Sequence, residues 1–265
     1  MREVTDAGKA RQNGAASGGH SAAYGRGGRR ASFFLCFFAG LLLSLAALTG
    51  SVVYNATRLD LFEEGLDRYV VANGTLSRND AERLAVETIG YLTGDQNEWE
   101  PDVKVNEQPL VIPAAFSEHM ATVRGGVRFA RSALVMAVAA ALVLLLLCGL
   151  PDRNHVTYRR LSSGGYYAGA LLPLLAVLGL GLWASFDFNA FWAWLHYTFI
   201  PDGIFAFQEP VMALFPEPLF AGYSRPVGIT LAFCTAVLMI WPVVALTIHR
   251  TRKRRLEKRM GTGNR

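Results

Sequence analysis

The sequence predicts an all-α membrane protein with four transmembrane helices, a small α+β extracytoplasmic cap and an aromatic interfacial loop. Of its 265 residues, 52% are hydrophobic and 18% are charged. The hydrophobic residues are contiguous, and four runs reach the roughly 20 residues needed to cross a hydrocarbon core of about 30 Å. These predicted spans are Phe33 to Tyr54, Ala133 to Leu150, Tyr166 to Phe186 and Val227 to Ile248.

Charged residues are distributed unequally between the two sides of the four spans. Residues 1–30, the loop 151–165 and residues 249–265 together hold 17 of the 26 lysines and arginines, whereas 17 of the 21 acidic residues lie on the other side. Basic residues accumulate in cytoplasmic segments. We therefore expect both termini in the cytoplasm and the two long loops outside it.

Composition divides the chain into three parts. Residues 1–30 are rich in Gly, Ala, Ser and Arg and contain almost no large apolar residues, which predicts a disordered cytoplasmic tail. Its arginines indicate orientation and not nucleic-acid binding, because no aromatic or fold motif accompanies them. Residues 31–250 form the predicted membrane domain, with an outer cap at 55–131 and an outer aromatic loop at 187–226. Residues 251–265 form a basic cytoplasmic tail.

The outer cap shows local helix and hairpin signals. Leu59, Phe62, Leu66 and Tyr69 recur at helical spacing. A second helix is predicted from Ser77, which forms a capping box with Asp80, to Gly94. Alternating apolar residues around Asn106 to Pro109 predict a short hairpin. Pro113 then fits the first turn of a helix that continues into the second span.

The cysteines and glycines inside the spans give no sign of a catalytic or binding role. Cys36, Cys148 and Cys234 all fall within predicted spans, where cysteine behaves as a small hydrophobe and forms no disulfide framework. Gly165 and Gly169 have the spacing of a helix-packing motif. These small residues therefore indicate packing between the spans, and the candidate catalytic residues lie outside the spans.

Two of the five histidines are expected on the outer side. His119 and His196 each lie among apolar or aromatic residues near the outer membrane boundary. An imidazole gains and loses a proton near neutral pH, so both are candidates for acid–base chemistry. The alternative is that each is a hydrogen-bonded packing histidine.

Other kinds of site have weaker support in the sequence. A metal site would need Glu118, Asp187 or Asp202 as a further ligand, but their spacing matches no metal motif. No histidine lies deep in a span, as a haem would require, and there is no nucleophile elbow. The sequence thus predicts neither a metal nor a cofactor.

Arg124, Arg128 and Arg131 share one helix face just before the second span. One interpretation is a solvated face that pairs with acidic residues of the cap. The other is contact with the phosphates of membrane phospholipids.

Two histidine-centred motifs resemble those of the Lit family, the lipoprotein intramolecular transacylases. The first is Phe116-Ser117-Glu118-His119-Met120-Ala121-Thr122-Val123. The second runs from Phe191 to His196 and is followed by Phe199, Pro201-Asp202-Gly203, Phe207 and Leu214-Phe215-Pro216-Glu217. The hydropathy layout is also similar from Phe33 to Arg250. Three positions differ from what the resemblance leads us to expect: Thr122 replaces an acidic residue, Phe205 a tryptophan, and Tyr197 a histidine or other polar residue.

The resemblance implies a bacterial membrane acyltransferase. Such an enzyme moves the sn-2 acyl chain of a diacylglyceryl-modified cysteine to the α-amine of that cysteine, which yields a lyso-form lipoprotein. No cofactor and no obligate protein partner are implied, and membrane phospholipids are further expected contacts. The expected location is the bacterial cytoplasmic membrane, with the active site on its outer face.

Attack of an amine on an ester needs a base for the amine proton and a donor for the oxyanion. His119 and His196 would divide these two roles in an order that the sequence leaves open. Glu118 or Asp187 would orient an imidazole. Arg124, Arg128 and Tyr197 are further candidates for substrate, oxyanion or orienting contacts. The alternatives are another lipid esterase or acyltransferase, such as one that passes the acyl chain to water, and a non-enzymatic envelope sensor or chaperone.

Overall fold

The computed structural model of the protein describes residues 6–149, 162–199 and 210–261. These residues form eight α-helices and one two-stranded sheet. The helices are α1 Asp6–Ala56, α2 Leu59–Leu66, α3 Arg78–Thr93, α4 Ala114–Gly149, α5 Ser163–Phe186, α6 Phe188–Phe199, α7 Glu217–Gly222 and α8 Ser224–Gly261; the strands are β1 Lys104–Val105 and β2 Gln108–Pro109. The predicted fold class is confirmed.

Within the described residues, four stretches are long and apolar enough to cross a membrane. They are Arg30–Ala56, Ala114–Cys148, Ser163–Phe186 and Pro210–Ile240. Each overlaps one predicted span. The fourth begins earlier than expected because it includes the short helices that precede α8.

Helices α1 and α8 extend beyond the predicted spans. Helix α1 begins at Asp6, within the stretch 1–30 for which the sequence predicts a disordered tail, and α8 continues to Gly261, within the basic tail 251–265. No proline occurs between Asp6 and Ala56. Once the apolar part of α1 has nucleated a helix, each further residue adds one hydrogen bond; the alanines of residues 6–30 favour this extension, whereas the glycines oppose it.

The described chain divides into two compact units, of which the first comprises residues 1–44 and 138–173. Its helices pack at glycines: a Cβ added at Gly165 or Gly169 would overlap the carbonyl oxygen of Phe33 or Phe37, respectively. The packing contact predicted from the spacing of these glycines is therefore present. The Sγ atoms of Cys36 and Cys148 are 3.5 Å apart in the same unit, and both side chains are buried.

The second unit comprises residues 45–137 and 174–265 and contains the cap. The Ser77 hydroxyl accepts a hydrogen bond from the Asp80 amide at 3.1 Å, and Gly94 ends α3 with a φ of 97°. The hairpin pairs Val105 with Gln108. Its two turn residues, Asn106 and Glu107, have positive φ. The predicted helices and hairpin of the cap are confirmed.

One hydrophobic core joins the cap to the start of α4 and to the chain after residue 210. Helix α2 contributes Phe62 and Leu66, and the π-helical turn Asp67–Val71 that follows contributes Val70. Further members are Leu84, Ile89, Trp99, Val103, Phe116, Met120, Val211, Leu214 and Leu219. The two motifs with the candidate histidines therefore border the same core.

The predicted aromatic loop is largely helical where it is described. Asp187 starts α6 because its Oδ1 accepts the hydrogen bond of the Ala190 amide at 2.9 Å, as expected of a helix N-cap. The Phe188 ring stacks on Trp192 one turn later, with centroids 5.8 Å apart. Asp202, Phe205 and the other residues of 200–209 lie outside the described residues.

Candidate active site

His119 lies in the second turn of α4, beside the cap core. Phe116 and Met120, on the neighbouring side of the helix, are both buried in that core. The His119 ring is 5.7 Å from Phe116, which in turn stacks on Phe215 at 5.7 Å. Packed aromatic rings on one side thus hold the half-buried imidazole of His119 in place.

His196 lies on α6, one turn after Trp192. The two ring centroids are 4.5 Å apart in an edge-on arrangement. Nδ1 of His196 is 3.0 Å from the main-chain carbonyl oxygen of Trp192. Because a carbonyl only accepts a hydrogen bond, this contact places the ring proton on Nδ1 and leaves Nε2 of the neutral imidazole with a free lone pair.

The two imidazoles face each other. Their centroids are 6.4 Å apart and their planes differ by 22°. At this separation one substrate molecule can contact both rings.

Aromatic rings continue from His196 to the following helix. Trp192 stacks on Phe220 of α7 with centroids 4.6 Å apart. Further aromatic side chains of α6, those of Trp194, Tyr197 and Phe199, are exposed. Exposed aromatic rings of this kind are typical of the membrane–water interface.

The carboxylates suggested as orienting groups lie elsewhere. The side chain of Asp187 caps α6, nine residues before His196. Glu118 is exposed, and its main-chain carbonyl accepts a hydrogen bond from the Thr122 hydroxyl at 3.2 Å. Tyr197 is 70% exposed and lies outside the contact between the two imidazoles.

The candidate arginines face the carboxyl end of α3. Arg124 is 8% exposed and donates to the carbonyls of Asn97 at 2.8 Å and Gln96 at 2.7 Å. Its guanidinium lies over the ring of Tyr91, 4.5 Å from the centroid. Arg131 donates to the carbonyl of Thr93 at 3.2 Å, whereas Arg128 is exposed. The hydrogen-bond partners of Arg124 and Arg131 are thus main-chain carbonyls, and not the acidic side chains of the first interpretation.

Trp192, Asn189 and Glu217 also border the candidate site, although nothing in the local sequence assigns them a role. Trp192 precedes His196 by four residues, a spacing that becomes informative once α6 is known to be helical. Asn189 and Glu217 lie against each other, but no local pattern connects residues so far apart in the chain. Among the described residues, no group of three or more His, Cys, Asp or Glu side chains is placed to hold a metal ion.

Comparison with known proteins agrees with these motifs. The family model of lipoprotein intramolecular transacylase Lit matches residues 37–220, a region that contains both histidines. The chain belongs to the Lit family. It is therefore a membrane-integral acyltransferase, and the enzyme class expected from the sequence is confirmed.

Two solved structures of Lit from Bacillus cereus resemble this fold. One has a TM-score of 0.63 at 12% sequence identity and covers 86% of this chain and 98% of its own. The other, a variant in which one histidine is replaced by arginine, has a TM-score of 0.61 at 14% identity and covers 90% and 99%. No curated protein sequence matches this chain.

Proposed function

We propose that His119 and His196 together catalyse the acyl transfer, with His196 as the base and His119 as the electrophile. The single observation that carries the proposal is the 6.4 Å separation of the two facing imidazoles. The substrate would be a diacylglyceryl-modified cysteine at the amino terminus of a lipoprotein. Its α-amine and its sn-2 ester are joined covalently, so the enzyme gains most by bringing them together.

The division of roles follows from the hydrogen bond to Trp192. With Nδ1 of His196 engaged by the carbonyl of Trp192, Nε2 is free to accept the proton of the attacking amine. The amine nitrogen bonds to the ester carbonyl carbon, and His119 donates a hydrogen bond to the oxyanion that forms. The bond from this carbon to the glyceryl oxygen then breaks, and His196 returns its proton to that oxygen. The products are an amide and a free sn-2 hydroxyl, with no water consumed.

The aromatic rings would position the acyl chains beside this pair. Trp192 and Phe220 lie on one side of His196, and Trp194 and Phe199 are exposed on α6. We place these rings at the outer interface of the bacterial cytoplasmic membrane, where aromatic side chains are favoured. Phospholipids would surround the same surface.

The test is acyl transfer by the purified protein on a synthetic diacylglyceryl-cysteine lipopeptide, followed by tandem mass spectrometry. The wild type should yield a lipopeptide with one acyl chain on the α-amine. His119→Ala and His196→Ala should each slow this reaction by about 10²–10⁴-fold, the usual contribution of a general acid or base. His20→Ala, far from both in the sequence, serves as the matched control.

A mixture of two lipopeptides that differ in both peptide mass and acyl length tests whether the transfer is intramolecular. Each peptide should retain its own acyl chain. Exchange of chains between peptides, or release of free fatty acid in place of the amide, would contradict the proposed reaction. Full activity of either histidine variant would contradict the assigned roles.

A further inference from the structure

A short segment, residues 214–220, is anchored in the cap core. Leu214 and Leu219 are fully buried. A Cβ added at Gly65 of α2 would lie 3.3 Å from Cγ of Leu219, so α2 and this segment approach closely. The segment is therefore a fixed part of the core, and side chains that it presents have fixed positions.

The start of the segment supports the element that carries His119. Phe215 stacks on Phe116 with centroids 5.7 Å apart, and Phe62 stacks on Phe215 at 6.3 Å. Phe116 lies directly between Phe215 and His119. One aromatic ring thus links the segment to the first imidazole.

The end of the segment supports α6, which carries the other histidine. Phe220 stacks on Trp192 at 4.6 Å, and Trp192 contacts His196 at 4.5 Å. One aromatic ring again links the segment to an imidazole. The same seven residues therefore touch the supports of both histidines.

A polar contact also joins the segment to the start of α6. With the Asn189 side-chain amide turned so that its nitrogen faces α7, it donates to Oε1 of Glu217 at 2.9 Å and also contacts Oε2. Asn189 lies in the first turn of α6, where the helix dipole favours a nearby carboxylate. A hydrogen bond to a charged acceptor is stronger than a neutral one and depends closely on direction.

We propose that Asn189 and Glu217 are positioning residues for the acyl transfer. Their hydrogen bond, together with the stacking of Trp192 on Phe220, sets where α6 lies against the 214–220 segment. Because Phe215 of that segment also supports His119 through Phe116, the same contact sets the distance between the imidazoles. This inference rests on the proposed roles of the two histidines.

The chemistry of this pair permits a reciprocal test. Asn189→Asp places two carboxylates against each other, and their repulsion should displace α6. Glu217→Gln leaves two amides that can still form a hydrogen bond. The double variant Asn189→Asp, Glu217→Gln restores an amide donor and a carboxylate acceptor in exchanged positions.

The measurement is kcat and KM for the lipopeptide in the wild type and these three variants. Asn189→Asp should lower kcat by about 10–100-fold, because a small misplacement of a catalytic group is costly. Its KM should stay within about twofold of the wild type, since contacts that bind the ground state are kept. Glu217→Gln should lower kcat by about 3–10-fold, less than Asn189→Asp, because it replaces a charge-assisted hydrogen bond by a weaker neutral one. The double variant should have kcat within about threefold of the wild type.

Asn73→Asp is the matched control, because Asn73 is exposed and its amide donates to the carbonyl of Tyr69 in its own turn. A double variant as slow as Asn189→Asp, or an Asn189→Asp variant as fast as the wild type, would overturn the inference. A wild-type protein that makes no amide product would instead overturn the proposed function.

A second measurement requires no turnover. Diethyl pyrocarbonate modifies neutral imidazoles, and peptide mass spectrometry gives the modification rate of His196 relative to His20. Asn189→Asp should change this ratio and the double variant should restore it. Equal ratios in all variants would overturn the inference even for inactive proteins.

Discussion

The imidazole of His196 is oriented by its own helix and not by another side chain. Its Nδ1 is bonded to the carbonyl of Trp192, four residues earlier, at 3.0 Å. From the sequence, Glu118 or Asp187 was the predicted orienting group for one of the two imidazoles. A main-chain carbonyl can orient an imidazole equally well, but every residue has one, so no sequence pattern reveals it.

The hydrogen-bond partners of Arg124 are likewise main-chain carbonyls, which no sequence pattern reveals. Its charge, its spacing from Arg128 and its place beside the membrane all suit a ligand contact. In the structure its guanidinium bonds two carbonyls just after α3 and lies over Tyr91. These loop carbonyls are not part of the helix hydrogen-bond ladder, so they can accept hydrogen bonds from the guanidinium of Arg124.

We predict that Arg124→Met destabilises the fold without a specific loss of catalysis. The change removes two charge-assisted hydrogen bonds in a buried setting and should cost about 3 kcal/mol of unfolding free energy. Thermal unfolding of the purified protein measures this effect. Arg78→Met is the control, because Arg78 forms an exposed ion pair with Asp67 that contributes at most about 1 kcal/mol. Unchanged stability with reduced kcat/KM would indicate a substrate contact at Arg124.

At the scale of elements, α6 is the largest departure from the expected layout. Its residues are so uniformly aromatic and apolar that they show no clear helical periodicity. The helix forms because Asp187 caps it and because rings four residues apart stack along it, as Phe188 does on Trp192. The helical structure of α6 places His196 one turn from Trp192, so the candidate site depends on this helix.

Helix packing in the first unit provides a prediction with a closely matched control. Gly169→Ala should force α5 away from α1, because the added methyl group would overlap the carbonyl oxygen of Phe37. Overpacking of this kind costs about 1–3 kcal/mol or more. Gly164→Ala, in the same helix but facing open space, should have no such cost. Thermal unfolding and the yield of monodisperse protein compare the two, and equal behaviour would contradict the close packing.

At the scale of the whole molecule, the charge distribution predicts the orientation in the membrane. The two ends of the chain are expected in the cytoplasm and the cap outside. In a variant without its native cysteines, Asn73→Cys in the cap should react with a membrane-impermeant maleimide in intact cells. Thr262→Cys should react only after the membrane is opened. The reverse labelling pattern would show that the orientation is inverted.

The sequence by itself determined the features that depend on neighbouring residues. Four apolar runs specify four membrane-crossing stretches because length and composition suffice for that purpose. Ser77 and Gly94 mark the two ends of α3 because capping uses residues within one turn. The charge distribution and two short motifs also singled out His119 and His196 before any geometry was known.

Only the tertiary structure decided which of these residues contact one another and at what distance. The 6.4 Å separation of the imidazoles, the carbonyl partners of Arg124 and the contact of Asn189 with Glu217 all join residues far apart in the chain. Such contacts depend on how the cap core and its aromatic rings pack together, and packing at this density selects one arrangement among many that the same apolar pattern allows. The distance between the histidines is therefore a property of the folded core and not of the local sequence around either one.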